Sequence, residues 1–233
     1  MRLNAVRVKV YGDFACWTRP ENKVERVSYE CMTPSAARNI LDAICWKPEM
    51  RWVVTAVTVL RPILFQALRR NEVQSKISPG SVKKWMANPE SFAPMVAGAG
   101  SEEVTQRSTL ALRKPAYIIE AYPHVYEGGG ENTPTKYVSM LNRRVEKGQC
   151  FHRPALGCRE FAAQFEPPGP EDQAQPVNVP LGMMLYDVIF RAEGNRAVFF
   201  RAELKNGVLD TDPERVIADE TLRKEVMACS YRR

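Results

Sequence analysis

The sequence predicts an α+β protein with two parts, residues 1–166 and 167–233. In the first part the candidate elements run in the order strand, helix, strand, strand, helix, strand. This order is typical of the ferredoxin-like split βαβ arrangement, which is also the layout of RRM-like folds. A proline-rich stretch then precedes two strand candidates around Glu193-Gly194-Asn195, which is a hairpin signal. We therefore predict a ferredoxin-like N-terminal domain followed by a smaller C-terminal antiparallel β-sheet domain.

The first strand, the first helix and the second strand are predicted from the spacing of apolar residues. Residues 5–11 alternate valine with basic or aromatic side chains, which predicts a half-buried strand with a basic outer face. Thr33 and Pro34 supply an N-cap and a first-turn proline, and apolar residues then recur at helical intervals. The helix should end before Pro48, because a residue that precedes proline avoids the helical region. Valine-rich residues 52–63 predict the second strand.

The middle of the chain is predicted to contain a long insertion. Residues from about 78 to 106 are polar and rich in proline and glycine, which indicates a loop with a short helix at 82–86. Residues 108–121 predict one longer strand, in which Pro115 favours an edge position or a bulge.

Three further strands are predicted after the second helix. A turn at Gly157 is expected to lead into a strand at 159–165. Residues 183–191 and 197–205 are the strands of the expected hairpin.

Residues 133–149 are the candidate for the second helix and for a phosphate site. The glycines at 128–130 run into Thr135, an N-cap candidate, and Gly148 is a plausible stop. Free backbone N–H groups and the helix dipole favour an anion at the first turn. The groups that would contact such an anion are Lys136 and Tyr137 in the first turn and Arg143 and Arg144 further along. The alternative is an amphipathic surface helix, which this stretch alone fits better.

Composition limits the function classes. Lysine and arginine number 33 against 27 acidic residues, so the chain is mildly basic at +6, which permits a nucleic-acid partner without requiring one. Because no run of 18 apolar residues exists, no membrane span is expected, and the N-terminal residues lack the apolar core of a signal peptide. Six scattered cysteines without a CxxC pair favour reduced thiols in the cytoplasm over a zinc site.

Aromatic and basic side chains alternate in residues 12–29. Phe14, Trp17 and Tyr29 lie among Arg19, Lys23 and Arg26, as base stacking with phosphate pairing would require. The alternative is a loop whose aromatic rings cover the core.

Long segments of the chain resemble one known family. These are YGDFACWTRPENKVERVSYE, TPSAARNILDAICWKP, RRNEVQSKI, QRSTLALRKPAYIIEA and LGCREF. They are similar to the subtype I-C CRISPR-associated pre-crRNA endoribonucleases, the RNA-processing subunits of type I-C Cascade and members of the RAMP superfamily. The resemblance runs from residue 8 to about 166 and continues more weakly around 183–187.

The resemblance implies an activity, partners and a fold. Members of that family bind the repeat hairpin of the precursor CRISPR RNA, cut at its 3′ base without metal or another cofactor, and keep the 5′ handle. They then join the other type I-C Cascade subunits, through which they meet target DNA. Their fold is a ferredoxin-like N-terminal domain with a smaller C-terminal β-sheet domain.

The resemblance also implies the site. Cleavage by attack of a 2′-OH needs a base for that hydroxyl, a cation for the charged phosphorane and an acid for the leaving oxygen. The family places a tyrosine at the end of the first helix and a Lys-His pair at the start of the second. The matching positions here are Cys45 and Lys136-Tyr137, so the lysine is kept and the other two residues differ.

Those departures leave open which group moves the proton. A phenol titrates near about 10 and a thiol near about 8.5, whereas imidazole titrates near about 6.5. His124 or His152 could substitute, although the sequence does not place either one at the site.

The expected RNA-binding groups are the basic and aromatic residues of these segments. They are Arg19, Lys23, Arg26, Trp46, Lys47, Arg69, Arg70, Lys76, Arg143, Arg144 and Arg159. The alternatives for the chain as a whole are a non-cleaving subunit that holds the crRNA handle, and a metal-dependent DNA nuclease. The latter would require clustered carboxylates, which the sequence does not offer at ligand spacing.

Overall fold

The computed structural model describes residues 4–22, 24–94, 96, 98, 100, 103–126, 133–191 and 194–228. Within them the chain is a mixed α+β protein, as predicted. The helices are α1 (Pro34–Ile44), α2 (Pro79–Ala87), α3 (Pro134–Glu146), α4 (Pro213–Val216) and α5 (Glu220–Ala228). The strands are β1 (Val6–Tyr11), β2 (Phe14–Ala15), β3 (Arg26–Val27), β4 (Met50–Val59), β5 (Phe65–Val73), β6 (Val104–Arg113), β7 (Ala116–Val125), β8 (Gln164–Glu166), β9 (Val179–Ile189), β10 (Arg196–Lys205) and β11 (Val208–Asp210).

A large antiparallel sheet organises the described part of the chain. Its strand order is β8-β1-β7-β4-β11-β10-β9. The last three strands join through β11, in which Leu209 pairs with Val57 of β4. The β9–β10 hairpin was predicted, and it extends the sheet that β1, β4 and β7 begin. The domain boundary after residue 166 stays a prediction.

Helices α1 and α3 cover one face of this sheet, where α1 packs on β4 and β9 and α3 packs on β1, β7 and β8. The apolar stripe of α1 is buried, including Leu41 and Ile44. On β4, Trp52 is fully buried, and its indole Nε1 donates to the carbonyl oxygen of Cys45 at 2.7 Å. Burying such side chains stabilises the fold by about 1.5–3 kcal/mol each. The packing of α1 and α3 on the sheet therefore holds the ends of both helices in place.

A second, smaller sheet is built around β6. Strand β5 pairs with β6 along its whole length, while the short strands β2 and β3 pair with its other edge. Neither β5 nor α2 contains a fully buried residue. The predicted short helix at 82–86 lies within α2, whereas β5, which holds Arg69 and Arg70, was not predicted as a strand.

The predicted single strand at 108–121 is wrong. The chain breaks at Lys114-Pro115, so β6 belongs to the small sheet and β7 to the large one. Lys114 has a φ of +48°, and Pro115 has no N–H with which to continue a ladder. The strand expected at 159–165 is likewise shorter, since β8 begins at Gln164.

The second helix was predicted, with one correction at its start. Thr133, not Thr135, occupies the N-cap position, and Pro134 takes the first helical position. The Thr135 hydroxyl instead donates to Oδ1 of Asn4 at 3.2 Å. The helix ends at Glu146, and Gly148, the expected stop, follows the C-cap Lys147 with a φ of +63°. The glycines at 128–130 lie outside the described residues.

Candidate active site

The end of α1 fixes Cys45. Its N–H donates to the carbonyl of Leu41, and its own carbonyl accepts the Trp52 indole. The side chain is 1% exposed, and burial raises the pKa of the thiol, although the charges of Arg144 and Lys47 act in the opposite direction. A protonated thiol is therefore held beside two cations.

The start of α3 places Lys136 and Tyr137 differently. Tyr137 is fully buried on the apolar stripe of the helix, and its hydroxyl donates to Oε1 of Glu49 at 2.9 Å. Burial and this carboxylate raise the pKa of Tyr137 above its ordinary value. Lys136 is exposed, with its ammonium 5.9 Å from the centre of the Tyr137 ring. The tyrosine is thus committed as a hydrogen-bond donor, while the lysine faces solvent.

Glu49 was missed by sequence reasoning. Partial burial acts to raise the pKa of its carboxyl, but the backbone amide, the Tyr137 hydroxyl and the charges of Lys47 and Lys136 lower it below its ordinary value. Glu49 is therefore ionised at neutral pH. No motif marks it, because the tyrosine that binds it lies 88 residues away in the chain.

Arg144 completes the group. Its guanidinium donates to the carbonyl of Ile44, the last residue of α1, where a cation is favoured by the helix dipole. Arg143 beside it is exposed. The side chains gathered here are called the helix-end cluster, and they are Cys45, Lys47, Glu49, Lys136, Tyr137, Arg143 and Arg144.

The two histidines occupy different places. The backbone N–H of His152 donates to the carbonyl of Ala43 at 3.0 Å, so this exposed residue adjoins the end of α1. His124 lies on β7 opposite Arg51, and burial together with the Arg51 charge lowers its pKa. Among the described hydrogen bonds, none joins either imidazole to the helix-end cluster.

Comparison with known proteins gives the family. A family model for Cas5d, described as CRISPR-associated protein (Cas_Cas5), matches residues 5–225. A protein of Mannheimia succiniciproducens named CRISPR pre-crRNA endoribonuclease Cas5d is 46% identical over 219 residues, which cover 90% of this chain and 96% of that protein. A protein of the same name from Thermus thermophilus is 36% identical over 228 residues, covering 90% and 92%.

The chain belongs to the Cas5d family.

Solved structures agree with this fold. A crystal structure of a CRISPR-associated protein superposes with a TM-score of 0.61 at 22% identity, covering 88% of this chain and 90% of the other. A functionally uncharacterized protein from Streptococcus mutans superposes with a TM-score of 0.60 at 19% identity, covering 88% and 91%. At such identities the likeness concerns the fold alone.

Three expected RNA-binding arginines of this Cas5d chain lie outside the helix-end cluster and are engaged in ion pairs. Arg19 binds Glu30 at 2.8 Å and stacks over a tyrosine ring. Arg26 and Arg70 both lie against Glu160. These ion pairs neutralise positive charge of the arginines that would otherwise attract an RNA phosphate.

The remaining expected groups are exposed, outside the described residues or already placed. Trp46 is 41% exposed beside Lys47, and Arg69, Lys76 and Arg159 are exposed near the small sheet. Lys23 lies outside the described residues. In the described ranges, no three His, Cys, Asp or Glu side chains are grouped so that they could hold a metal ion. No helix described here is long and apolar enough to cross a membrane.

Proposed function

We propose that this Cas5d-family chain is a metal-independent endoribonuclease that binds the CRISPR repeat hairpin. It cleaves precursor crRNA at the 3′ base of the hairpin and stays on the 5′ handle as a subunit of the type I-C interference complex. The observation that carries the proposal is the placement of Lys136, exposed in the first turn of α3 beside the Glu49 carboxylate and other cations. The relative from Mannheimia succiniciproducens bears the name of this activity at 46% identity.

The fold supports a ferredoxin-like assignment for the first part of the chain. Numbered in chain order, β1, β4, β7 and β8 lie in the sheet as 4-1-3-2, and α1 and α3 pack on one face. Ferredoxin-like domains have this strand order and this helical layer. We therefore keep that assignment, with β9–β11 as the smaller C-terminal part.

The helix-end cluster supplies the groups that transesterification needs. The 2′-OH attacks the adjacent phosphorus, its proton passes to the ionised Glu49 carboxylate, and the bond to the 5′-oxygen breaks. Lys136 provides positive charge for the phosphorane and a proton for the leaving oxygen. Tyr137 holds Glu49 in place through its hydroxyl.

The departures from the family pattern fit a slow reaction. A carboxylate whose pKa is lowered is a weak base, and Cys45 offers only a buried, protonated thiol. Slow cleavage is sufficient, because the product stays bound and one turnover per subunit completes the task.

A second candidate is a handle-binding subunit that does not cleave. It is favoured by the Tyr137 hydroxyl, which is already bound to Glu49, and by the buried Cys45. In that case another nuclease would process the RNA.

The proposed partners are the CRISPR repeat RNA and its 5′ handle, the other type I-C Cascade subunits and, through them, target DNA. A cytoplasmic location is supported by the described cysteines, Cys16, Cys31, Cys45, Cys150 and Cys158, which are all free thiols.

The deciding experiment is cleavage of the cognate repeat hairpin in EDTA. We expect the wild type to cut, and Lys136→Ala to lower the rate about a hundredfold or more, because it removes the charge that meets the phosphorane. A 2′-deoxy substitution at the scissile nucleotide should abolish cleavage, and Glu49→Gln should slow it. Lys147→Ala, which removes an exposed lysine at the end of α3, is the matched control and should leave the rate unchanged.

Two outcomes would contradict the proposal. Tight binding by the wild type without any cleavage would favour the non-cleaving subunit. Cleavage that needs a divalent cation, or that tolerates the 2′-deoxy substrate, would exclude transesterification.

A further inference from the structure

A cleft lies at the opposite end of β1 from the helix-end cluster. Its volume is about 570 Å³. The β1–β2 turn, the turn between β6 and β7, and residues 160–164 form its walls. Such a volume falls in the range of small-molecule pockets, roughly 300–1,000 Å³, so one nucleotide would fit.

Three exposed cations line the cleft, namely Arg61, Lys114 and Arg153. Arg61 donates to the carbonyl of Lys114 at 3.4 Å, which ties the first two together. Within the described residues, none of the three makes an ion pair. Their charges therefore remain available, in contrast to the paired arginines of the small sheet.

The acidic side chains at the cleft do not cancel this charge. Glu160 is already paired with Arg26 and Arg70. Asp13 is exposed at the rim, where its carbonyl oxygen accepts the N–H of Lys114 at 2.6 Å. Among the lining side chains the three cations outnumber the two carboxylates, of which Glu160 is paired elsewhere, so the cleft favours an anion.

An aromatic wall stands beside the cations. The rings of Phe14 and Phe161 lie 5.8 Å apart with an interplanar angle of 44°. Phe14 is half-buried, so part of its ring faces the cleft. Aromatic faces next to cations are what a protein uses to stack an unpaired base and hold its phosphate.

The cleft is separate from the proposed cleavage site. Asn4, just before β1, receives the hydroxyl of Thr135 from the first turn of α3, whereas Tyr11 at the far end of the strand lines the cleft. A strand rises about 3.3 Å per residue, so β1 separates Val6 from Tyr11 by roughly 17 Å.

We propose that this cleft binds one unpaired nucleotide of the RNA, away from the scissile bond. The base lies against Phe14, whose ring packs on the buried Phe161, and the phosphate lies against Arg61, Lys114 and Arg153. The choice of RNA as the ligand rests on the proposed function. The cleft would hold the cleaved RNA by an end that the helix-end cluster does not touch.

Affinity for the cleaved repeat RNA is the first test. We expect Arg61→Gln/Arg153→Gln to weaken binding by about tenfold and to lower the dependence of log Kd on log salt by up to about 0.7, because the single phosphate held in the cleft loses two of its three cations. The double variant Arg201→Gln/Lys205→Gln is the matched control, since it removes two exposed charges from β10. Its affinity should equal that of the wild type.

Photo-cross-linking locates the nucleotide independently of any variant. RNA that carries 4-thiouridine at one position after another is bound to the wild type and irradiated, and the labelled peptides are identified by mass spectrometry. We expect one position to label the peptides that contain Phe14 or Phe161. Lys136→Ala protein should give the same label, because the cleft does not depend on cleavage.

The outcomes separate the two proposals. Cross-links at the cleft without cleavage would sustain the cleft and overturn the proposed activity. Cleavage with wild-type affinity in the Arg61→Gln/Arg153→Gln variant and no cross-link at the cleft would overturn the cleft alone. If that variant binds RNA normally but no longer assembles with the other complex subunits, the cleft binds an acidic protein segment and the RNA assignment is wrong.

Discussion

At the scale of single residues, Asp42 shows how burial sets a protonation state. It lies on α1 one turn after Arg38, whose guanidinium is 3.5 Å from one carboxyl oxygen. The other oxygen, Oδ1, is buried without a hydrogen-bond partner among the described residues. Burial raises the pKa of Asp42 to about 6, although Arg38 and Arg51 act in the opposite direction. This carboxyl, on the helix that ends at Cys45, therefore takes up its proton near pH 6 rather than near pH 4.

This carboxyl makes stability depend on pH. The pKa is higher in the folded state than its ordinary value of 3.8, so the folded protein keeps a proton that the unfolded chain releases. The resulting stabilisation is fully present below about pH 4 and is lost as the pH rises through about 6. We expect Asp42→Asn to gain on the order of 2 kcal/mol relative to the wild type between pH 4 and pH 8.

Urea denaturation across that pH range measures the effect. Glu90→Gln, which neutralises an exposed carboxylate, is the control and should track the wild type. The assignment fails if the difference between Asp42→Asn and the wild type stays constant with pH.

Residue-level expectations from the sequence were limited by distance along the chain. Spacing predicted the helices that carry Cys45 and Lys136, because helical periodicity is local. The bond between Tyr137 and Glu49 had no local signal, since it joins the start of α3 to the connection after α1. The same holds for the cleft, whose cations come from three separate turns.

At the scale of elements, the wrong or missing predictions concern strands in which the spacing of apolar residues is weak or misleading. Apolar residues stand on both sides of Lys114-Pro115, so β6 and β7 look like one strand, and only the backbone reversal separates them. Strand β5 was missed because its exposed and half-buried positions alternate in the structure, whereas its sequence does not alternate apolar and polar residues. Helices α1 and α3 were predicted because each presents a continuous apolar stripe.

The turn at Gly157 is an element whose geometry can be tested. Gly157 has a φ of +89°, and a Cβ placed there would overlap the carbonyl oxygen of Cys16. The close approach lets the Cys16 N–H donate to the carbonyl of Leu156 at 3.0 Å. We expect Gly157→Ala to lower the free energy of unfolding by about 3 kcal/mol or more, because strain and overlap add.

Gly148→Ala is the matched variant for this measurement. Gly148 also has a positive φ, +63°, but nothing lies within 4 Å of a Cβ built there. Gly148→Ala should lower the free energy of unfolding by only about 1–2 kcal/mol, because alanine is strained in the left-handed backbone conformation. Equal losses for the two glycines in urea denaturation would show that the overlap with Cys16 is relieved at no cost.

At the scale of the whole molecule, the arginines held in ion pairs and the exposed cations lie in different regions. The arginines on the small sheet are largely engaged with carboxylates, as in the pairs of Arg26 and Arg70 with Glu160. Exposed cations remain at the two ends of β1. They are Lys136 and Arg143 at one end, and Arg61, Lys114 and Arg153 at the other.

RNA binding should therefore depend strongly on salt. If Lys136 and Arg143 each contact a phosphate and the three cleft cations share one, log Kd should change with log salt by a slope of about 2.5, which weakens binding about thirtyfold between 50 and 200 mM. Fluorescence anisotropy with the repeat RNA measures this slope. Lys136→Ala should lower it by about 0.8. A flat response would mean that phosphate contacts do not drive the association.

The arrangement of the whole sheet could not be predicted from the sequence. The element order predicted the four strands of the first part and the later hairpin as two separate groups. The periodicity of a strand does not show which other strand it pairs with. The link is β11, three residues long, which is too short to give a pattern. It follows the β9–β10 hairpin and places Leu209 beside Val57 of β4.

This late link has a consequence for synthesis. Strand β4 ends at Val59, and its neighbour β11 begins at Val208, about 150 residues later. At about 5–20 residues per second, the ribosome takes roughly 8–30 s to make the intervening chain. Throughout that interval the outer backbone groups of β4 lack their partner strand, and an open strand edge is a template for pairing with another chain. The protein is therefore most exposed to aggregation while it is being translated, and neighbouring nascent chains on one message are the nearest partners for that edge.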